Sequence, residues 1–370
     1  MIRPGGGGID RAAGAPKARG EVDRERFSRG RWPAGLNVSL RRFRPPVSRT
    51  SAILFLLAGA LALAIYGRLH VGGPLPPGSE MIFEFRAQRG TAAAIVGICL
   101  GVSGVLLQCL FRNPLAAPDV LGMSSGAGLS VMLWQLGAYH AGMGIAQSSV
   151  DIGIALPGAI GALMLTYLLA QRRGTVEPVS LILTGVIIGV VAAAASSLVQ
   201  QFLPDRGVAA ARLLLGSINE ELRWRGIILA GVLALGGLAF TVWRGRWLDA
   251  ASLSDDEARS LGVALTRLRL EMFLLAGVLT SVAFSLAGPV AFVGLVCPHL
   301  VRMTIGPRHG PLVVGSACLS GVMVVGADCL VRLIDLGSGR LPLSVMTALM
   351  GGPLLIWMLR VNAARIRTIG

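Results

Sequence analysis

Charge is scarce in this chain. Asp, Glu, Lys and Arg make up 14% of its 370 residues, while 54% are hydrophobic and the mean hydropathy is +0.69. A soluble domain carries about 25% charged residues, so the deficit excludes an ordinary water-soluble fold and points to a polytopic membrane protein. Cysteine is sparse too. Cys99, Cys109, Cys297, Cys318 and Cys329 all lie in or beside apolar runs, and none forms a C-x-x-C pair. That excludes a disulfide framework and leaves them as small apolar packing residues. There is no nucleophile–His–acid set, no metal-ligand set and no convergent acid pair, so an integral-membrane enzyme has little to work with. There is also no Gly-x-x-x-x-Gly-Lys-Ser/Thr phosphate loop, so any ATP chemistry belongs to another chain.

Glycine is abundant at 50 residues, as expected where membrane helices approach closely. The formal net charge is +15. Residues 1–49 hold 12 basic and 4 acidic residues, a net +8, and the remaining 22 basic and 15 acidic residues give +7. Basicity concentrated in an arm rich in Gly, Pro and Arg, with the rest available for membrane topology, argues against nucleic acid as a partner. The expected organisation is a disordered cytoplasmic tail over 1–49, a transmembrane domain over 50–361 and a short cytoplasmic tail over 362–370. No small-residue cleavage site follows the first apolar run, which argues against a secretory signal.

Ten apolar segments are expected near 51–67, 90–111, 116–137, 151–170, 179–203, 226–243, 270–288, 289–305, 311–334 and 343–360. A span needs about 20 residues. Segments seven and eight form one run divided at Gly288-Pro289, which reads alternatively as one long helix plus a re-entrant stretch. Counting the tail, 25 basic residues fall on one side and 9 on the other, so the positive-inside rule places both termini in the cytoplasm. The nine outer arginines ask for an acidic partner outside.

The inner loop at 244–269 carries Ser252-Leu253-Ser254-Asp255-Asp256-Glu257-Ala258-Arg259-Ser260-Leu261-Gly262-Val263. Ser254 and Glu257 have capping-box spacing. Asp255 and Asp256 fall in the first turn, where the helix dipole favours negative charge, and Gly262 can end the helix in a left-handed cap. Ala258 and Leu261 would share a small apolar face. The result is a short inner-surface helix, read either as a solvated loop helix or as a docking element for a cytoplasmic partner.

Six ordered blocks resemble one family, the FecCD-type permeases of ABC importers. They are Arg86-Ala87-Gln88-Arg89 ahead of helix two; Gly101-Val102-Ser103-Gly104 through Gln108, Arg112-Asn113-Pro114 and Leu121-Gly122-Met123-Ser124-Ser125-Gly126; Asp256 through Gly262; Ala287-Gly288-Pro289 through Cys297-Pro298-His299; Ala327-Asp328 with Arg332; and Leu341-Pro342-Leu343-Ser344 through Gly351-Gly352-Pro353. The resemblance covers about 50–361. It implies an all-α fold of about ten transmembrane helices with type II importer architecture, resident in the cell inner (plasma) membrane. It also implies a homodimer, two cytoplasmic ATPase subunits that bind ATP and Mg, and a periplasmic or extracellular substrate-binding protein. No cofactor or metal is expected on this chain.

Residue by residue, the resemblance implies coupling to the ATPase through Ser254, Asp255, Asp256, Glu257, Ala258, Leu261 and Gly262. It implies binding-protein docking through Arg86, Arg89 and Arg332, and a pathway lined by helix five, with Gly185, Gly189 and Ser196 as candidates. Gly185 and Gly189 also read simply as a small-x-x-x-small packing pair. The chain departs from the pattern where Arg-Leu-Pro-Arg reads Arg86-Ala87-Gln88-Arg89, at Arg340, and at Glu177-Pro178. Asp328, within segment nine, is read as hydrogen-bonding a neighbouring helix in preference to proton coupling. His299 is read as a helix-start histidine and not as a ligand beside Cys297. The expected cargo is a ferric siderophore or similar iron chelate, with haem or cobalamin as the alternative. An ion-coupled secondary transporter is the competing class, and Asp328 alone supports it thinly.

Overall fold

The computed structural model describes residues 47–72, 80–118, 122–142, 152–172, 175–176, 178–203, 216–218, 222–334 and 341–367. The tail up to residue 46, Glu177 and Arg340 lie outside them. In chain order the helices are α1 (Val47–His70), α2 (Glu80–Leu110), α3 (Met123–His140), α4 (Ile152–Ala170), α5 (Pro178–Gln201), α6 (Trp224–Trp243), α7 (Gly245–Ala251), α8 (Asp255–Ser260), α9 (Leu265–Ala287), α10 (Val293–Ile305), α11 (His309–Leu333) and α12 (Leu343–Arg367). A two-residue antiparallel ladder pairs Gln171 with Val176 and Arg172 with Thr175 between α4 and α5. The sequence gives no strand signal there.

Seven of these helices are long and apolar enough to cross a membrane: most of α1, α4 and α5, and all of α2, α6, α9 and α11. α3 adds 18 residues, and α10 and the Leu343–Met358 part of α12 are shorter apolar helices. Ten apolar helices therefore stand where ten segments are expected, with shifted boundaries. α2 begins ten residues early and takes in Arg86 and Arg89, because the polar residues ahead of its apolar run still favour helix. α3 begins only at Met123, after a turn, since Asn113-Pro114 and Pro118 cannot continue a helix. α10 spans only 13 residues, about 20 Å at 1.5 Å per residue, too short to cross alone.

α2 is the axis of the bundle. It is buried from Arg86 almost to its end and packs on α11, α9, α10, α6 and α1. A glycine face makes this possible. A Cβ at Gly101 would lie 2.6 Å from the Ser316 carbonyl oxygen of α11, and one at Gly104 would land on the Gly294 carbonyl oxygen of α10. Close backbone approach of this kind drives association where lipid supplies no hydrophobic force between helices. By contrast, α1 leaves Phe55, Leu56 and Leu63 exposed, as a lipid-facing helix does.

Gly104→Ala is expected to destabilise by about 1–3 kcal/mol or more through overpacking. Gly59→Ala, where no atom lies within 4 Å of the added Cβ, should be neutral or slightly stabilising. Thermal unfolding of the two variants in detergent checks the contrast.

Candidate functional site

At one end of the bundle α8 forms as its sequence dictates. The Ser254 hydroxyl accepts from the Glu257 N–H at 3.3 Å, and Glu257 Oε2 accepts from the Ser254 N–H at 3.0 Å, closing the capping box. Gly262 stands at φ +79°. Hydrogen bonds from the Ser254 hydroxyl and backbone hold the Glu257 carboxyl below its usual range. The expected apolar face divides: Ala258 is buried, whereas Leu261 is 62% exposed.

Asp255 ties this helix to the rest of the molecule. One oxygen receives Arg112 at 2.6 Å and Arg269 at 2.8 Å. Burial alone would raise its pKa, but the hydrogen bonds from Arg269 and Arg112 prevail and lower it. Arg112 sits at φ 46° in the turn after α2 and also donates to the Ala251 carbonyl at 3.0 Å. Nearby, Asp249 accepts from the His309 N–H at 2.8 Å, joining α7 to the start of α11, and Glu271 takes Arg244 at 2.8 Å and Arg267 at 3.1 Å. Apart from Arg267–Glu271, an i,i+4 pair within α9, these partnerships are not legible from spacing, because the residues are 14 to 143 apart.

The opposite end lies at the start of α2, 31 residues or about 46 Å away along that helix. Here Asp328 of α11 meets Arg68 of α1 at 2.5 Å and Arg89 of α2 at 2.9 Å, all three buried. Arg86 donates to the carbonyls of Leu69 and Gly72, each at 3.0 Å. Arg86 and Arg89 are the two arginines expected to dock a binding protein, and here they hold internal contacts. They are 3% and 7% exposed, because a carboxylate and two helix-end carbonyls draw their donors inward. Arg332 is half-buried, with its guanidinium near Gly72. Asp328 does bond to neighbouring helices. Arg68, the member of this group that sequence reasoning passed over, could have been found by asking which cation at the same depth neutralises an intramembrane acid.

Between the two ends lies a cavity of about 290 Å³ bounded by α3, α4, α5, the end of α9 and Ser217. Ser196 lines it. Gly185 and Gly189 do not; instead they seat the Gly122 turn at the start of α3, where a Cβ on Gly122 would lie 2.6 Å from the Gly185 carbonyl. His299 is the seventh residue of α10, not its start. Cys297 packs its sulfur 3.5 Å from that of Met323.

Apolar helices wrapped on a buried central rod, an internal cavity and an exposed capped helix at one end define a multi-pass membrane permease. The chain belongs to the FecCD transport family, the permeases of ABC importers, which matches residues 49–361. It is 32% identical over 313 residues to the vitamin B12 import system permease protein BtuC of Vibrio cholerae, covering 84% of this chain and 90% of that one. It is 33% identical to the hemin transport system permease protein HmuU of Yersinia pestis, over 75% of this chain and 82% of that one. A solved structure described as a metal-chelate type ABC transporter in an inward-facing conformation superposes with a TM-score of 0.73 at 28% identity, covering 84% of this chain and 99% of that one.

Proposed function

We propose that this chain is the pore-forming permease of an importer that carries a ferric siderophore or similar iron chelate across the inner membrane by alternating access. It works as a homodimer with two ATPase subunits on the α8 end and a substrate-binding protein on the opposite end. ATP and Mg are held by the ATPase subunits. The α8 end faces the cytoplasm with both termini, which the positive-inside count favours.

The observation that carries this reading is α8 itself: doubly capped, tied by Asp255 to the α2 turn and to α9, and offering Leu261 outward. A helix so fixed passes force on rather than absorbing it, and ATPase closure can then shift the balance between outward-open and inward-open states. At the other end, docking centres on the region of Arg86, Arg89 and Arg332. With the first two turned inward, carboxylates of a docked lobe meet Arg332 and the exposed Arg223 and Arg225, which flank Trp224, itself bonded to Glu84 of α2 at 2.9 Å. Relatives named for vitamin B12 and for hemin make cobalamin and haem the alternative cargoes. The secondary-transporter reading loses its one support, because Asp328 is held between two guanidiniums.

Proteoliposomes holding this chain with its ATPase and binding protein should accumulate one of ferric siderophore, hemin or cyanocobalamin only when ATP is supplied. Accumulation that ignores ATP would sink the importer reading.

A further inference from the structure

α6 leaves a stripe of apolar side chains exposed along its length, Ile228, Val232 and Leu235 among them, and closes it with tryptophan at both ends. The 20 residues from Trp224 to Trp243 span about 28 Å. The hydrocarbon core of a bilayer is about 30 Å thick, and exposed tryptophans gather at its two faces. α6 therefore faces lipid, and Trp243, 68% exposed, marks where the apolar phase ends on the α8 side.

At that boundary a pocket of about 200 Å³ opens beside Trp247. The charged side chains lining it, among the described residues, are Arg244, Arg267 and Glu271, two cations to one anion. The Arg244 guanidinium lies over the Phe240 and Trp243 rings, 5.6 and 4.9 Å from their centroids, so this cation is held against the lipid-facing surface. Its Nε is buried without a hydrogen-bond partner among the described residues. Arg267 meets Glu271 through Nε at 3.1 Å while its side chain stays 80% exposed, which leaves its terminal nitrogens for a ligand. Gly262 and Val263, where the chain leaves α8, form another wall.

We infer that this pocket holds the phosphate of an anionic phospholipid in the leaflet at the α8 end, with the acyl chains lying along the exposed stripe of α6. The inference rests on the membrane-spanning fold and is independent of the cargo; the importer reading puts this leaflet on the cytoplasmic side. Basic pockets between helices at a bilayer surface suit anionic headgroups, and a guanidinium matches phosphate oxygens two at a time. The pocket is smaller than the about 300–1,000 Å³ of a small-molecule site, so it takes a headgroup whose chains remain outside. A zwitterionic headgroup brings its own ammonium toward the two guanidiniums and gains less. Glu271 sets the strength of the site, because its carboxylate competes with the phosphate for both arginines.

The test is quenching of tryptophan fluorescence by brominated lipid, with the full chain in vesicles of phosphatidylglycerol and phosphatidylcholine in which one or the other carries the bromine. Each protein is measured with and without Trp247→Phe, and the difference isolates this pocket. The wild type should prefer phosphatidylglycerol there by roughly fivefold or more. Arg267→Gln should lower that preference by about three- to fivefold. Glu271→Gln should raise it by about twofold or more, the opposite of what losing a purely structural ion pair would do. Arg360→Gln, at an exposed position of α12, should leave it unchanged. Excess inorganic phosphate should not displace the lipid, and adding the ATPase subunits should leave the quenching in place. Equal affinity for the two lipids overturns the inference, as does no fall with Arg267→Gln or no rise with Glu271→Gln. An equal fall with Arg360→Gln overturns it in favour of general surface charge, displacement by phosphate in favour of a free-anion site, and loss of quenching on adding the ATPase in favour of a subunit contact.

Discussion

Asp328→Ala is expected to yield a protein that fails to reach the membrane in folded form or melts far below the wild type. Removing this carboxylate takes away the counter-charge that the buried Arg68 and Arg89 share. Breaking a buried pair by deleting one partner costs about 3–5 kcal/mol, a large part of a typical total stability of about 5–15 kcal/mol. Two Arg68 nitrogens are buried without a protein partner among the described residues, so Arg68 cannot lose its carboxylate cheaply. Arg89→Met should be much milder, since it leaves the Arg68–Asp328 pair balanced. Replacing all three together by Met, Met and Leu should recover much of the stability lost in Asp328→Ala, as apolar replacement of a buried ionic group often does. Thermal unfolding and membrane yield measure all three variants. Wild-type stability in Asp328→Ala would remove the cluster from the account of what holds α1, α2 and α11 together.

Leu261→Asp and Asp255→Ala are expected to abolish or reduce ATP-driven uptake at least tenfold while the permease stays folded. The two act differently. In the proposed importer Leu261 is the contact offered to the ATPase, and an aspartate there puts an unpaired charge into that contact, so the ATPase should bind weakly or hydrolyse without transport. Asp255 is part of the tie behind the contact: its loss frees α8 from Arg112 and Arg269 while the face toward the partner is preserved, so binding should persist and coupling should fail. Side chains about a third exposed, as Asp255 and Arg112 are, give an ion pair worth only about 0–1 kcal/mol in stability. A large loss of transport with an unchanged melting temperature is then attributable to transmission. Asp255→Arg combined with Arg112→Asp should restore part of the uptake. Normal uptake by Asp255→Ala would show that α8 transmits by another route.

The helices were legible because lipid imposes a simple rule: each crossing must be a long apolar run that satisfies its own backbone. Local chemistry was legible too, since Ser254, Glu257 and Gly262 act within one turn of each other. What escaped were interactions between residues far apart in sequence. Arg86 and Arg89 look like surface cations because the groups that hold them lie elsewhere in the chain: Asp328, 239 residues away, takes Arg89, and the Leu69 and Gly72 carbonyls take Arg86. Gly185 and Gly189 fit both a packing face and a pathway, and the Gly122 turn that they seat is not readable from their spacing. The end of the α9 run was foreseen at Gly288-Pro289, but not that Gly288 at φ 63° and Phe292 at φ 66° consume five residues and shorten α10.

That same elbow bears on how motion travels. It is gripped on several sides: Gly216 abuts the Pro289 carbonyl, Gly351 of α12 sits against Phe292, and Gln108 of α2 donates to the Leu295 carbonyl at 3.2 Å. A joint held in this way does not flex, so α9 behaves as a stiff rod anchored at its far end. Arg269 stands near one end of the rod under the hold of Asp255, and Ser285 stands near the other, facing the cavity. Sixteen residues separate them, a lever arm of about 24 Å. A tilt of about 5° about the Arg269 end displaces the Ser285 end, and the elbow as one piece with it, by about 2 Å on that length, enough to make or break a hydrogen bond at the cavity without any helix having to bend.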